Sequence, residues 1–248
     1  MAGELKAFFS PALVKRLAGE IARVHRAFPT AAFVRDATHG LERHELKGRA
    51  QHIASALKKH LPQDYPRALD VLVRSLGPEF ESEETLGHGM APFFYLPHTM
   101  FVAEHGLEHF EQSMSAQHEL TRRCSCEFSV RAYLERWPDE TLAVLKRWTR
   151  DPNAHVRRLV SEGTRPRLPW APRVSWIESQ PERVLPLLEA LKDDRASTVR
   201  RSVANHLNDL SKKHAALAFE IAERWLEGAS DERRDLVEHA LRSAAKRG

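Results

Sequence analysis

The stretch that decides the fold covers residues 151–173 and reads DPNAHVRRLVSEGTRPRLPWAPR. Its first half has the pattern of an amphipathic helix, because Val156, Leu159 and Val160 fall on one face. Gly163 then provides a stop signal for that helix. The second half cannot continue it, since three prolines fix the backbone and remove amide donors. The stretch therefore predicts a helix followed by a stiff, extended loop.

The same stretch carries an unusual combination of polar side chains. Glu162 lies at the end of the predicted helix, and Trp170 is the only indole of the loop. Five arginines accompany them, namely Arg157, Arg158, Arg165, Arg167 and Arg173. A carboxylate and an indole among so many guanidinium groups exceed what packing requires. We therefore interpret the stretch as part of a candidate functional site.

The pattern returns 43 residues later in the chain. Residues 138–162 align with residues 181–205 without a gap, and Val156-Arg157-Arg158 meets Val199-Arg200-Arg201. Each copy reads as a helix, a turn containing aspartate, and a second helix. Residues 232–237 contain a looser third copy. Periods of about 40 to 47 residues with two helices are typical of HEAT and armadillo repeats.

The repeat predicts an all-α fold, a HEAT-like repeat solenoid with a concave basic groove. We expect a single domain over residues 1–248, in which residues 1–106 form an N-terminal helical part and residues 107–248 hold the clearest repeats. Strand patterns are nearly absent from the chain. Helical periodicity predicts four N-terminal helices, beginning at Ser10-Pro11, around Phe33-Val34, at residues 45–60 and at residues 66–76.

Residues 77–97 interrupt the helical pattern with an acidic run followed by an aromatic cluster. Large aromatic side chains are seldom left together in solvent, so Phe93, Phe94 and Tyr95 should be buried. We expect this segment to be a connection folded against the body of the protein, and not a linker between domains.

Composition and charge indicate a soluble protein that faces a polyanion. Hydrophobic residues make up 42% of the 248 residues and charged residues 29%, which is ordinary for a globular protein. Residues 121–213 hold 19 lysines and arginines against 12 acidic residues, so the basic excess is local. No apolar run approaches the roughly 20 residues of a membrane span. Without a signal-peptide pattern, and with Cys124 and Cys126 too close for a relaxed disulfide, we expect a cytoplasmic location.

The chain also contains one short pattern that is found in zinc enzymes. Residues 105–109 read HGLEH, and H-x-x-E-H on one helix is a zinc-peptidase pattern. Gly106 weakens the helix that this site would need, and short motifs match by chance in a chain with 14 histidines. We expect two surface histidines instead, and neither a metal nor another cofactor.

Three carboxylates lie within the basic region, at Glu127, Glu162 and Asp209. Subtracting one repeat of 43 residues from Asp209 leads to position 166, about one helical turn beyond Glu162. All three acids are therefore expected on the same surface. The alternative is that they form ordinary ion pairs, such as Glu127 with Arg131. The repeated arginines have a similar alternative, which is to cap the aspartate turns.

The segments SEGTRPRLPWAPR, VLPLLEALKDD and VRRSVANHLNDL closely resemble the AlkC branch of the AlkC/AlkD DNA alkylation-repair glycosylases. LVKRLAGEIA, ELKGRAQHIASALKKHLP and FVAEHGLEHFEQSM are also similar to that family, so the resemblance covers nearly the whole chain. It implies a helical-repeat body that grips double-stranded DNA containing alkylated bases. It also implies hydrolysis of the N-glycosidic bond of cationic bases, chiefly 3-methyladenine, with 3-methylcytosine as a further candidate.

The resemblance also implies roles for particular residues. Glu127, Glu162 and Asp209 match the catalytic acids, and Trp170 matches an active-site indole that contacts the lesion or its sugar. The expected DNA contacts are Arg131, Arg157, Arg158, Arg165, Arg167, Arg173, Arg200 and Arg201. For Trp170 the alternative is a core indole beneath the proline loop.

The sequence ends directly after its last predicted helix. It therefore resembles the shorter branch of the family, without a C-terminal immunoglobulin-like domain. The expected protein is a monomeric, metal-free, monofunctional glycosylase of base excision repair. The alternative function is a non-catalytic HEAT-repeat scaffold that binds DNA or protein.

Overall fold

The computed structural model describes residues 6–79 and 91–245, and in these residues all regular structure is helical. The all-α prediction is therefore confirmed. The chain divides into two compact units, Met1–Ser129 and Val130–Gly248. The single domain expected from the sequence stays a prediction, and each unit is described by itself.

The first unit contains the helices predicted for the N-terminal part. Its main elements are α1 (Pro11–Val24), α2 (Thr30–Thr38), α3 (Leu46–His60), α4 (Tyr65–Arg74), α5 (Leu96–His105) and α6 (Phe110–Thr121), with short 3-10 turns at Leu41–Arg43 and Ala91–Tyr95. Helix α1 begins where predicted, because the Ser10 hydroxyl accepts the amide of Leu13 at 3.4 Å and Pro11 suits the first helical position.

The aromatic cluster before α5 is packed inside this unit. Phe94 and Tyr95 are buried, as expected, and Phe93 is half-buried. The Tyr95 hydroxyl also accepts the amide of Gly77 at 3.1 Å, which ties the start of the connection to its end. The acidic run between them, residues 80–90, lies outside the described residues.

The zinc pattern does not form a metal site. Helix α5 ends at His105 with Gly106 as its C-cap, and His109 is the N-cap of α6. The two histidines therefore lie on different helices and cannot act as the paired ligands of one helical turn. Within residues 6–79 and 91–245, no group of three histidine, cysteine, aspartate or glutamate side chains could hold a metal ion.

The second unit contains the predicted repeats. Its helices are α7 (Val130–Arg136), α8 (Pro138–Trp148), α9 (Ala154–Gly163), α10 (Ser175–Ser179), α11 (Leu185–Leu191), α12 (Ser197–Ser211), α13 (Ala215–Leu226) and α14 (Asp231–Ala245), with a 3-10 turn at Pro181–Arg183. The pairs α8–α9 and α11–α12 are the two predicted copies, and α13–α14 is the looser third. The second helices pack in series, α9 on α12 and α12 on α14.

The aspartate turns of the two copies are built alike. Asp151 accepts the amide of Asn153 at 2.8 Å, and 43 residues later Asp194 accepts the amide of Ala196 at 2.9 Å. Each turn aims the chain into the following helix, whose apolar face is fully buried at Val156 and at Val199. The two copies therefore share the hydrogen bond of the aspartate turn as well as their sequence pattern.

No helix among the described residues is both long and apolar enough to cross a membrane.

Candidate active site

Two carboxylates of the second unit meet at one guanidinium. Glu162 lies in the last turn of α9 and Asp209 near the end of α12, and both are buried. Arg165 Nη1 lies 2.6 Å from Glu162 Oε1, and its Nη2 lies 2.7 Å from Asp209 Oδ2. Its Nε donates to the same Asp209 oxygen at 2.8 Å. The structure thus brings together two of the three predicted acids.

The remaining carboxylate oxygens also have partners. The Ser202 hydroxyl donates to Glu162 Oε2 at 2.6 Å, and Lys212 Nζ donates to Asp209 Oδ1 at 2.7 Å. Arg158 Nη2 lies 3.7 Å from Glu162 Oε2. Burial on its own would raise the pKa of Glu162, but Arg158, Arg165 and the Ser202 hydroxyl outweigh it and hold that pKa below its ordinary value. Glu162 is therefore ionised at neutral pH.

A buried polar network supports Glu162 from behind. Ser161 Oγ donates to Ser202 Oγ at 2.8 Å, because the Ser202 proton is already directed to Glu162. His206 is fully buried, and burial lowers its pKa to about 4, so the ring is neutral. Its Nδ1 lies 3.0 Å from the Ser161 carbonyl and must therefore carry the proton. In the described part of the chain its Nε2 has no hydrogen-bond partner.

Ser202 and His206 were not predicted as site residues, although the sequence contains a signal for them. Ser202, His206 and Asp209 are spaced by four and three residues, which places them on one face of α12. That face also holds Val199, which is buried. Polar residues continuing the apolar face of a helix indicate a buried polar site.

Arg131 is an anchor of the proline loop. It is 2% exposed, its Nε donates to the Pro172 carbonyl at 2.6 Å, and its Nη1 donates to the carbonyls of Gly163 and Arg165, both at 2.8 Å. Burial lowers its pKa to about 10, which leaves it charged at neutral pH. One guanidinium thus joins the two ends of the loop. Arg131 was predicted to contact DNA directly, but its side chain is buried and holds the loop.

Trp170 is carried outward by a strained turn. The Ala171 amide donates to the Leu168 carbonyl at 3.3 Å, with Pro169 and Trp170 at the two central positions. Trp170 has φ of 62°, a region that glycine or asparagine normally occupies. Holding a large side chain there costs on the order of 1–3 kcal/mol. Its side chain is 67% exposed, so the alternative of a core indole is wrong.

The other loop arginines surround a small cavity. It has a volume of ≈ 240 Å³ and is lined by Arg131, Arg167 and Arg173 together with Pro166, Leu168, Pro169 and Ala171. Arg167 lies 3.3 Å from Glu178. Arg173 is exposed, so its charge is available to an incoming anion.

The repeated arginines divide between two roles. Arg157 is buried and donates to both carboxylate oxygens of Asp194, at 2.6 and 2.9 Å. Arg157 and Arg200 each donate to the carbonyls five and six residues earlier, which lie in the equivalent aspartate turns. Arg157 and Arg200 therefore cap the aspartate turns, which was the alternative to a role in DNA binding. Arg158 is half-buried beside Glu162, and Arg201 is exposed.

Glu127, the third predicted acid, belongs to the first unit. There the Ser125 hydroxyl donates to its Oε2 at 2.8 Å. Neighbouring Cys124 and Cys126 are free thiols, and burial raises the pKa of Cys126 to about 12, which makes it unreactive. The position of Glu127 beside the other two acids stays a prediction.

The fold and these residues define a class of protein. A family model described as DNA alkylation repair enzyme matches residues 108–247, more than half of the chain, so the chain belongs to that family.

Particular relatives agree with this assignment. The chain is 37% identical over 203 residues to the uncharacterized protein YhaZ of Bacillus subtilis (strain 168), covering 82% of this chain and 54% of YhaZ. It is also similar to the solved Pseudomonas fluorescens alkylpurine DNA glycosylase AlkC bound to DNA containing an abasic site analog. That match has a TM-score of 0.88 and 34% identity, and covers 98% of this chain and 64% of that one. The chain thus spans between half and two thirds of the length of these relatives.

Proposed function

We propose that this protein is a monofunctional DNA glycosylase that hydrolyses the N-glycosidic bond of cationic alkylated bases in duplex DNA. The substrates we infer are 3-methyladenine and 3-methylcytosine. Membership of the DNA alkylation repair enzyme family and the similarity to AlkC support this proposal. The observation that carries it is the pair of buried carboxylates, Glu162 and Asp209, assembled around Arg165 at the start of the loop that exposes Trp170.

The chemistry suits these residue types. Alkylation at N3 gives the base a positive charge, so it leaves as a neutral molecule and its glycosidic bond is already weak. The catalyst must then stabilise a sugar with oxocarbenium character and direct a water at it. A fixed, ionised carboxylate serves both purposes, by charge complementarity and by accepting a proton from the water. The ionised state of Glu162 meets this requirement at neutral pH.

We assign the roles accordingly. Glu162 or Asp209 positions the water and stabilises the sugar cation, and Glu127 assists through its charge. Trp170 stacks on the lesion or on the deoxyribose, since its indole is exposed and its backbone is held by the Pro169 turn.

The DNA backbone contacts are best supplied by arginines that remain accessible. Arg167, Arg173 and Arg201 are exposed and Arg158 is partly so, whereas Arg157 and Arg200 are engaged by the aspartate turns. Each neutralised phosphate releases counterions, so affinity for DNA should fall steeply with salt. We infer a cytoplasmic monomer that acts on the nucleoid and needs neither metal nor cofactor.

The test is release of methylated base from alkylated duplex DNA, measured with and without a chelator. Glu162→Gln and Asp209→Asn preserve shape and remove charge, and each should lower the rate by about a hundred- to thousandfold. Asp139→Asn is the matched control, because Asp139 pairs with Arg183 on an exposed surface. Activity retained in both Glu162→Gln and Asp209→Asn would refute the role assignment, and release abolished by the chelator would indicate a metal enzyme.

A second candidate function is a non-catalytic scaffold that binds DNA. It is favoured by one observation, namely that both acids form ion pairs within the protein. It predicts binding of alkylated DNA without any release of base, at every pH and salt concentration tried.

A further inference from the structure

In the protein without DNA, Arg165 is bonded to both candidate catalytic acids, Glu162 and Asp209. Its guanidinium spans Glu162 Oε1 and Asp209 Oδ2, at 2.6 and 2.7 Å, while Ser202 and Lys212 bond the opposite oxygens. The positive charge of Arg165 therefore already occupies the position between the two acids, where it weakens the field that would stabilise a cationic sugar. For the proposed chemistry, we expect Arg165 to move away from at least one acid.

The other charges near the pair cannot replace Arg165. Arg158 on α9 lies 3.7 Å from Glu162, and Lys212, the residue after α12, bonds only Asp209. His206 on α12 is neutral. Arg242 on α14 donates to Asn205 and to the His239 carbonyl, and burial is the main reason that its pKa is lowered. Among the described side chains, Arg165 alone bonds both acids.

The backbone of Arg165 is held by Arg131, whereas its guanidinium is bonded by the two acids. Arg131 binds the carbonyl of Arg165 itself and those of Gly163 and Pro172, at 2.6 to 2.8 Å. The side chain of Arg165 is 12% exposed, against 7% for Glu162 and 3% for Asp209, so it is the most accessible of the three. We therefore expect the pair to open by rotation of the Arg165 side chain, while Arg131 keeps the loop backbone in place.

We propose that Arg165 is a positioning residue, whose guanidinium holds the cation position between Glu162 and Asp209 until a damaged nucleotide supplies a positive charge of its own. A neutral nucleotide has no charge with which to replace Arg165, because displacing it would leave Glu162 and Asp209 with only Arg158 and Lys212 as counter-charges, which is unfavourable. A cationic base, or a cationic sugar, compensates for the loss. That the ligand is a damaged nucleotide rests on the proposed glycosylase function. The competition between Arg165 and another cation for the two acids does not depend on that function.

The test compares two abasic-site analogues in otherwise identical duplexes. One is a pyrrolidine, which is a cation at about pH 8, and the other is the neutral tetrahydrofuran. The measured quantity is the ratio of their dissociation constants for the protein. Removing the competing guanidinium with Arg165→Gln should increase the preference for the cationic analogue by about tenfold, the effect of one charge-assisted contact. Arg224→Gln is the control, since Arg224 pairs with Glu189 elsewhere in the same unit, at 3.5 Å.

An unchanged or smaller ratio in folded Arg165→Gln would overturn the proposal. If that variant does not fold, Arg165→Lys takes its place, because a lysine bonds one carboxylate at a time and should raise the ratio severalfold. An unchanged ratio in that variant would overturn it equally. The proposed function and the proposed role of Arg165 can be refuted separately. Absence of base release by the wild type would refute the glycosylase function, while the ratio of dissociation constants would still test the role of Arg165.

Discussion

Two buried, neutral histidines make the stability of this protein depend on pH. His98 and His206 are almost fully buried, and burial lowers the pKa of each to about 4. In the unfolded chain a histidine titrates near about 6.5. Between these values the unfolded chain binds protons that the folded protein excludes. The stability that they contribute is therefore complete above about pH 6.5 and is lost as the pH falls toward about 4.

The magnitude follows from the two pKa values. A difference of about 2.5 corresponds to roughly 3 kcal/mol per histidine when the titration is complete. About 2 kcal/mol of this is lost between about pH 7.5 and pH 5. Since His98 and His206 lie in different units, their contributions should add, to about 4 kcal/mol.

Urea unfolding at about pH 7.5 and pH 5 measures this loss directly. His98→Phe keeps a ring among Phe94 and Tyr95, and His206→Gln keeps a donor near the Ser161 carbonyl. Each should reduce the loss of stability between the two pH values by about 2 kcal/mol. His39→Gln, at an exposed position, should leave it as in the wild type. If both buried variants lose as much stability on acidification as the wild type, the reasoning is wrong.

Three further predictions concern the site. Arg131→Met leaves three carbonyls without a donor and should cost on the order of 3 kcal/mol, which calorimetry would detect as a melting temperature about 10 °C lower; an unchanged melting temperature would contradict the anchoring role. Ser202→Ala should raise the pKa of Glu162 and lower stability at neutral pH by about 1.5–3 kcal/mol in urea unfolding, and no effect would show that the bond contributes nothing. Trp170→Asn should relieve the positive φ, raising stability by about 0.5–1 kcal/mol while weakening duplex binding in a fluorescence titration; tighter binding would oppose the stacking role.

The local pattern of the chain predicted much of the helical framework. The apolar positions of residues 156–160 are buried, the prolines that follow end the helix, and the 43-residue repeat reappears in equivalent turns at Asp151 and Asp194. These features are local, because helical periodicity and turn chemistry depend on neighbours within a few residues. The repeat also predicted that Glu162 and Asp209 would lie on the same surface.

Only the tertiary structure decided what each charged side chain does. Arg131, Arg157 and Arg165 look alike in the sequence, yet the first anchors a loop, the second caps aspartate turns and the third bridges two acids. Several of their partners lie more than 30 residues away, and no periodicity encodes which one a long, flexible guanidinium will reach. The exposure of Trp170 was equally beyond the sequence, because it depends on a strained turn in which Trp170 takes a position that glycine or asparagine normally occupies.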